Sequence, residues 1–178
     1  CQHIQISHDM PQSFYDDYIM TVSHSQKMNH FQNQQADQFV EMFNLKGKTI
    51  FEAGCGDGNF MDLLKNKGCL VFGNEPSKSF RELAIKKELN VDPYFINEAY
   101  ININAPFDAV ISREVMEHVP EPVEFLFNLK KLLKQDGFIL IEVPNFEKSL
   151  KEQRFYDMFP DHLSYFTRES LTVAMLIS

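Results

Sequence analysis

The feature that most constrains this chain is a glycine-rich turn at residues 51–58, FEAGCGDG. An apolar run, TIFEA at 49–53, leads into it, and an amphipathic segment, NFMDLLKNKG at 59–68, follows. The order strand, glycine turn and helix is typical of folds that hold a nucleotide-like ligand at the start of a helix. We therefore expect a parallel α/β sheet with a ligand at the carboxyl ends of its strands.

The spacing of the glycines and the acids around them limit the ligand. Gly54, Gly56 and Gly58 are two residues apart, whereas a dinucleotide-binding turn places its third glycine three residues after the second. Asp57 lies inside the turn and Glu52 just before it, and both would repel a pyrophosphate. These acids favour a ligand with positive charge, such as S-adenosylmethionine, which carries an ammonium and a sulfonium and no phosphate. The turn by itself is also compatible with a plain tight connection.

A second acid follows the next predicted strand. In CLVFGNEPS, Glu75 comes 17 residues after Gly58 and ends the apolar run. A carboxylate at this point can accept hydrogen bonds from both hydroxyls of a ribose. An isolated acid at a strand end is more often solvated, but its distance from the glycine turn favours a role in ligand binding.

The rest of the chain alternates strand and helix patterns. The predicted strands are 49–53, 69–75, 91–96, 107–112 and 138–144, and the predicted helices are 29–43, 59–68, 77–89, 122–137 and 168–177. The first helix is expected to present Phe31, Gln35, Phe39, Met42 and Phe43 on one face. This alternation predicts an α/β fold, a Rossmann-like, doubly wound and mostly parallel sheet with helices on both faces.

Composition narrows the class of protein. The chain has 178 residues, enough for one domain, and a formal net charge of -8, which argues against a nucleic-acid partner. No apolar run approaches the ~20 residues of a membrane-spanning helix, so we expect no membrane partner and a cytoplasmic location. Cys55 lies in the glycine turn and Cys69 opens a strand, and neither has a C-x-x-C neighbour.

Four segments in order, FEAGCGDGNF, VFGNEPS, FDAVISREVMEHVPEP and GFILIEVPN, resemble the motifs of class I S-adenosylmethionine-dependent methyltransferases. The flanking YDDYIMTVSHSQ and FPDHLSYFT resemble the sugar C-methyltransferases that act on nucleotide-linked deoxysugars. The resemblance implies an organisation in three parts: a small zinc-binding segment, then the methyltransferase core, then a C-terminal domain. The resemblance implies an irregular lead-in at 1–28 and a core at 29–178. It also implies that Cys1 is the last ligand of a zinc segment outside this chain, and that the last strands of the sheet are missing.

The candidate chemistry lies in ISREVMEHVPEP, after the fourth predicted strand. Residues that follow a parallel strand face the ligand cleft, so Ser112 to His118 should line it. An imidazole such as His118 can take a proton near neutral pH, either from carbon beside a carbonyl or from a hydroxyl. The family resemblance implies that His118 is the base and Glu117 supports it. The alternative is that the pair simply ends the loop and stays solvated.

A second polar cluster, DHLSYFT at 161–167, resembles an acceptor-pocket loop, which implies that His162 is a second candidate base and that Tyr165 contacts substrate. The alternative is a core tyrosine and a structural histidine. Tyr15 and Tyr18 resemble a lead-in that closes over the cleft, or else belong to a tail. Asn97 and Glu98 are candidates for the adenine amine. The predicted cofactor site comprises Glu52, Gly54, Cys55, Gly56, Asp57, Gly58, Glu75, Asn97, Glu98 and Ser112.

The leading hypothesis is methyl transfer from S-adenosylmethionine to carbon of a small acceptor, such as a nucleotide sugar. O-methylation of a phenol, quinone precursor or sugar hydroxyl is the alternative enzyme, and a non-catalytic cofactor-binding module is the alternative of another class. An NAD-dependent oxidoreductase fits poorly because the glycine spacing is wrong. The transfer requires no metal and none is predicted, and the sequence does not indicate an oligomeric state.

Overall fold

The computed structural model describes residues 3–6, 11, 25–104 and 106–178, so Cys1, Tyr15 and Tyr18 lie outside the described residues. Its central sheet consists of β2 (Thr49–Ala53), β3 (Leu70–Asn74), β4 (Asn90–Asp92), β5 (Phe107–Arg113) and β6 (Leu133–Glu142). These strands are all parallel, in the order β4-β3-β2-β5-β6. The prediction of a parallel five-stranded sheet is confirmed. The prediction that further strands follow stays a prediction.

Helices cover both faces of this sheet, as a doubly wound fold requires. They are α1 (Gln26–Met42), α2 (Asn59–Asn66), α3 (Lys78–Lys86), α4 (Glu98–Asn104), α5 (Pro122–Lys131), α6 (Phe146–Lys151) and α7 (Arg168–Ile177). Alternate residues of β2 face opposite ways: Ile50 packs among residues of α1 and α2, whereas Phe51 packs against α4 and α5 residues such as Leu129. None of the helices in the described part of the chain combines the length and hydrophobicity needed to cross a bilayer.

The predicted boundary between the fourth helix and the last strand is wrong. α5 ends at Lys131 and β6 begins at Leu133, so Gly137 lies within the strand and does not end the helix. The register shifts between Phe107 and Ala109, so that four residues of β6, 134–137, lie opposite the single residue Asp108. The Lys134 ammonium donates to that carboxylate at 2.9 Å. Helical periodicity predicted that α5 continues to residue 137. In the structure, residues 133–137 belong to β6, where Lys134 contacts Asp108.

Two further predictions about local structure need correction. The predicted strand 91–96 shortens to Asn90–Asp92, and α4 follows it with the Asn97 side chain accepting from the Tyr100 N–H at 3.0 Å. In α1 the buried residues are Gln32, Ala36, Phe39 and Val40, while Met42 is 74% exposed. The buried face thus includes the small Ala36, which allows close helix packing, rather than the row of larger side chains that the pattern favoured.

A short antiparallel pair lies beside the main sheet. β1 (Ile4–Gln5) pairs with β7 (Ser164–Tyr165), and the Gln5 side chain donates to the Pro120 carbonyl at 2.8 Å. Part of the predicted irregular lead-in is therefore a strand. Through these contacts β1 connects the segment that follows β5, at Pro120, with the segment around β7. The division into a lead-in at 1–28 and a core at 29–178 stays a prediction, although α1 begins at Gln26.

Candidate active site

An open cleft of about 950 Å³ lies at the carboxyl ends of the strands. Its two walls are the glycine-loop wall (residues 52–59 and 74–77) and the histidine wall (residues 113–121 and 159–163). The cleft forms where the order of strands reverses, because β3 and β5 lie on opposite sides of β2. The predicted residues that line it are Glu52, Gly54, Cys55, Gly56, Asp57, Glu75, Glu117, His118 and His162.

In the glycine-loop wall, backbone N–H groups bond to the end of β3. Gly54 donates to the Asn74 side-chain oxygen at 3.2 Å, and Cys55 donates to the Asn74 carbonyl at 3.0 Å. Gly56 donates to Glu75 Oε2 at 2.8 Å. These N–H groups point at protein acceptors rather than at a phosphate, which agrees with the prediction that the loop does not hold a pyrophosphate.

Glu75 fastens this wall from the other side. Its second oxygen, Oε1, accepts from the Ser77 N–H at 2.8 Å. Burial raises the pKa of the carboxyl, and the two N–H donors oppose that rise. Each carboxylate oxygen has more than one lone pair, so Glu75 can hold the loop and still accept from a ligand hydroxyl.

Glu52 is the least satisfied acid of the glycine-loop wall. It is 3% exposed, and its Oε2 has no hydrogen-bond partner among the described residues. Burial raises its pKa to about 7, partly offset by the charge of Arg113. A buried carboxyl that half-ionises near neutral pH can be stabilised by a cationic ligand in the cleft.

Asp57 and Cys55 have local roles in the same turn. Asp57 Oδ1 accepts from the Asn59 N–H at 3.1 Å at the start of α2, and its Oδ2 lies 3.6 Å from the Lys87 ammonium. Burial raises the pKa of the Cys55 thiol well above its usual value, so this cysteine is protonated and a poor nucleophile.

At Gly54 the glycine-loop wall lies in close contact with the histidine wall. Its φ is +67°, and a Cβ placed there would lie 2.6 Å from Val115 Cγ2. A side chain at this position would therefore force apart the turn after β2 and the segment after β5. The close approach brings Glu52 and the residues around Glu117 into one cleft.

On the histidine wall, His118 has a defined orientation. Its Nδ1 lies 2.8 Å from the Asp161 carbonyl oxygen, which can only accept, so Nδ1 carries the proton. Nε2 then holds the lone pair of the neutral ring and lies 4.0 Å from Glu117 Oε1. The His162 ring packs edge-on at 4.8 Å between centroids. Burial lowers the pKa of His118, and burial together with His118 lowers that of His162 to about 4, so both rings are neutral at neutral pH.

Glu117 is the most deeply buried acid of the histidine wall. It is 1% exposed, and neither carboxylate oxygen has a hydrogen-bond partner of ordinary geometry within the described residues. Burial, and after it the nearby Glu114 charge, raises its pKa to about 9. Glu114 itself has a φ of +53°, a backbone conformation that is uncommon for residues other than glycine, and burial raises its pKa to about 7. Two carboxyls with raised pKa values therefore meet where a ligand could share a proton or supply a cation.

Several predicted residues lie outside the lining of the cleft, namely Gly58, Asn97, Glu98, Ser112 and Tyr165. Asn97 caps α4, and Ser112 is buried in β5. Tyr165 is buried in β7 and donates its hydroxyl to the Phe159 carbonyl at 2.9 Å. Their ligand-binding roles stay predictions.

Four residues to which the sequence analysis gave no individual role shape the site, namely Asn74, Arg113, Glu114 and Asp161; Arg113 and Glu114 lie in the stretch 112–118 predicted to line the cleft, and Asp161 lies in the polar cluster 161–167. Asn74 and Asp161 each directly precede a predicted residue, Glu75 and His162, and that adjacency was the available signal. Arg113 donates to Glu142 at 3.0 Å and stacks its guanidinium 4.0 Å from the centre of the Phe60 ring. Because Arg113, Glu142 and Phe60 lie far apart in the chain, no local sequence pattern indicates these contacts.

Known structures share this fold. An S-adenosylmethionine-dependent methyltransferase from Archaeoglobus fulgidus superposes with a TM-score of 0.68 at 22% identity, over 83% of this chain and 67% of that one. The plantazolicin methyltransferase BpumL, in complex with S-adenosylhomocysteine, superposes with a TM-score of 0.68 at 14% identity, over 84% of this chain and 63% of that one. At these identities the likeness establishes the fold.

The similar proteins found by sequence comparison are also methyltransferases. C-methyltransferase NovU of Streptomyces niveus is 25% identical over 166 residues, which is 90% of this chain and 40% of NovU. A ubiquinone biosynthesis O-methyltransferase of Haemophilus ducreyi is 30% identical over 112 residues, 57% of this chain and 47% of that protein. The chain thus spans less than half the length of both relatives. The profile of the methyltransferase domain family matches residues 28–176, and the chain belongs to that family.

Proposed function

We propose that this chain is the cofactor-binding and catalytic core of an S-adenosylmethionine-dependent methyltransferase whose acceptor is a small molecule, a nucleotide-linked deoxysugar methylated at carbon. The observation that carries the proposal is the pairing of two walls in one cleft. One wall presents a buried Glu52 carboxyl whose Oε2 has no hydrogen-bond partner among the described residues, and the other presents an oriented His118 imidazole.

The glycine-loop wall fits this cofactor. The Glu52 oxygen without a described partner is suited to an ammonium group, and Glu75 to the ribose hydroxyls. A Cβ at Gly56 would meet nothing within 4 Å, so the backbone there borders open space where a ligand can approach. The bound cofactor supplies an electrophilic methyl group, and these residues hold and orient it.

The histidine wall handles the acceptor in this proposal. Neutral His118 accepts a proton at Nε2, from carbon beside a carbonyl or from a hydroxyl, while its Nδ1–H stays on the Asp161 carbonyl. His162, also neutral because its pKa is lowered to about 4, is the second candidate base. Since the walls hold both reactants in one cleft, positioning contributes most of the rate enhancement.

Carbon as the methylated atom is supported by the extent of the match to a C-methyltransferase, which covers 90% of this chain. O-methylation is the second candidate, because the O-methyltransferase relative has the higher identity over a shorter span. Phe95 and Phe159 also line the cleft and are each more than 40% exposed, which would suit an aromatic acceptor. The absence of a nucleic-acid partner and a cytoplasmic location stay predictions.

The first test is calorimetric titration with S-adenosylmethionine and, separately, with NAD. We expect the first to bind and the second not to. Glu75→Ala should weaken binding about tenfold or more, because one good charged hydrogen bond is worth about 1.5–3 kcal/mol. Glu82→Ala is the matched control, since Glu82 is an exposed acid on the neighbouring α3. Binding of NAD in place of S-adenosylmethionine would overturn the proposal.

The second test separates the acceptor classes. The protein is incubated with methyl-labelled cofactor and either nucleotide-linked keto-deoxysugars or dihydroxyphenols, and the product is mapped by NMR. A new carbon–carbon bond on the sugar is expected. A methyl ether on either acceptor would establish the O-methyltransferase instead. Cofactor binding without turnover on any acceptor would favour the non-catalytic module.

A further inference from the structure

We propose that Glu117, His118 and His162 form a binding site for a divalent transition-metal ion on the histidine wall. One potential ligand atom from each residue lies within 4.8 Å of the other two. The site would present the metal to an acceptor oxygen, so this inference rests on the function proposed above and refines its substrate class to acceptors with an oxygen that binds metal.

The orientation of His118 is the first argument. Its Nδ1–H bonds to the Asp161 carbonyl, and Asp161 Oδ2 lies 3.6 Å from the same nitrogen. Metal-binding histidines commonly donate their second ring N–H to a carbonyl or carboxylate, which fixes the ring and leaves the other nitrogen for the metal. Here that other nitrogen, Nε2, faces Glu117 Oε1 at 4.0 Å.

The buried carboxyl of Glu117 is the second argument. Neither of its oxygens has a hydrogen-bond partner of ordinary geometry among the described residues, the side chain is 1% exposed, and the neighbouring charge that acts on it most is that of another acid, Glu114. Burying a carboxylate without compensation is costly. The neighbouring Arg113 sends its Nε to Glu142 at 3.0 Å and its Nη2 to Gln35 at 3.1 Å. A bound cation would stabilise the ionised form of this carboxyl.

The donor set indicates the kind of metal. Two imidazole nitrogens and one carboxylate oxygen suit Zn²⁺, Fe²⁺, Mn²⁺ or Co²⁺, whereas Mg²⁺ and Ca²⁺ prefer oxygen ligands. Three protein ligands leave a position open for water or substrate, as in catalytic zinc sites. At metal–ligand distances of about 2.0–2.2 Å, the present spacing must contract by about 1 Å, which side-chain rotation can accomplish. A bound ion would be held by Glu117, His118 and His162 and would supply Lewis-acid polarisation of an acceptor oxygen; without the ion, His118 keeps the role of base proposed above.

The test measures metal binding independently of turnover. Chelator-treated wild-type protein is titrated with Zn²⁺ against a chromogenic competitor, alongside Glu117→Gln, His118→Ala, His162→Ala and a control, His30→Ala, which changes an exposed histidine of α1. Wild type and His30→Ala should bind one equivalent more than His118→Ala. The other two variants should bind that equivalent at least about tenfold more weakly. Circular dichroism verifies that each variant is folded.

Replacement with Co²⁺ identifies the ligands. A visible spectrum of four- or five-coordinate Co²⁺ without a thiolate charge-transfer band is expected in wild type and should disappear in His162→Ala. A thiolate band, or the same stoichiometry in wild type and His118→Ala, would overturn the inference. Titration with S-adenosylmethionine keeps the two proposals apart. If the cofactor binds and the extra metal equivalent is absent, only the metal site fails; if the cofactor does not bind, the proposed function fails.

Discussion

The glycine-loop wall and the histidine wall handle buried polar groups differently. On the first, Glu75 accepts two backbone N–H groups, and Asn74 bonds to the turn through both its side chain and its carbonyl. On the second, neither oxygen of Glu117 has a hydrogen-bond partner of ordinary geometry among the described residues, and the acid Glu114 lies beside it. Among the described residues of the glycine-loop wall, only one buried side-chain oxygen, Oε2 of Glu52, is left without a partner for a ligand, whereas on the histidine wall both oxygens of Glu117 depend on a proton or a cation.

The difference also concerns how far apart in the chain the partners lie. The contacts of the glycine loop join residues about 20 positions apart, within a single βαβ unit. The His118–Asp161 contact spans 43 positions and depends on the segment before β7. The histidine wall therefore depends on the tertiary structure more than the glycine-loop wall does, and the variants below test the two walls separately.

The largest effect is expected from His118→Ala. The proposed role of His118 as general base predicts a fall in kcat of about 10²–10⁴, while affinity for S-adenosylmethionine should stay unchanged because His118 belongs to the other wall. Steady-state kinetics and calorimetry measure the two quantities, with His30→Ala as the control. An unchanged kcat with weakened cofactor binding would reverse the assignment of the walls.

Glu52→Gln should reveal the cost of the unpartnered acid on the glycine-loop wall. Because burial raises the pKa of Glu52 from 4.5 to about 7, the fold favours the neutral carboxyl. That contribution to stability is complete below the unfolded-state pKa and is lost as the pH rises through the folded-state value. Wild type should lose about 3 kcal/mol relative to Glu52→Gln over this range. Urea unfolding at about pH 4 and about pH 8 measures it. An equal pH dependence in both proteins would contradict the raised pKa.

Gly54→Ala and Gly56→Ala form a matched pair that tests the junction of the walls. Both glycines have positive φ, but only at Gly54 does a new Cβ collide with a neighbour, Val115. We expect Gly56→Ala to cost about 1 kcal/mol from backbone strain and Gly54→Ala about 2–3 kcal/mol, because Val115 must move as well. Chemical unfolding compares them, and equal losses would show that the contact with Val115 is easily relieved.

The smallest effect is expected from Tyr165→Phe. It removes the hydrogen bond from the tyrosine hydroxyl to the Phe159 carbonyl, so we expect a loss of about 1 kcal/mol in unfolding free energy. Tyr94→Phe, at an exposed position, serves as the control. A rise in KM for the acceptor without loss of stability would instead place Tyr165 in the acceptor pocket, as the sequence resemblance implies.

The comparison of sequence with structure follows the same division. Alternating apolar runs predicted the five parallel strands, and the turn at 54–58 with Glu75 predicted the glycine-loop wall, because those partners belong to one βαβ unit. Its local hydrogen bonds depend on residue type and spacing, which the sequence displays directly. The same local rules placed Gly137 at a helix end, and on α1 they included Phe39 in the buried face correctly but Met42 wrongly.

The sequence by itself therefore determined the α/β alternation, the glycine turn, the acid at the end of β3 and the residue types available for chemistry. Only the tertiary structure decided the start of β6, where Lys134 meets Asp108, and the orientation of His118 by the Asp161 carbonyl. It also decided the burial of Glu117 beside Glu114. Local hydrogen bonding and periodicity are written in neighbouring residues, whereas desolvation and long-range contacts exist only after the chain has folded.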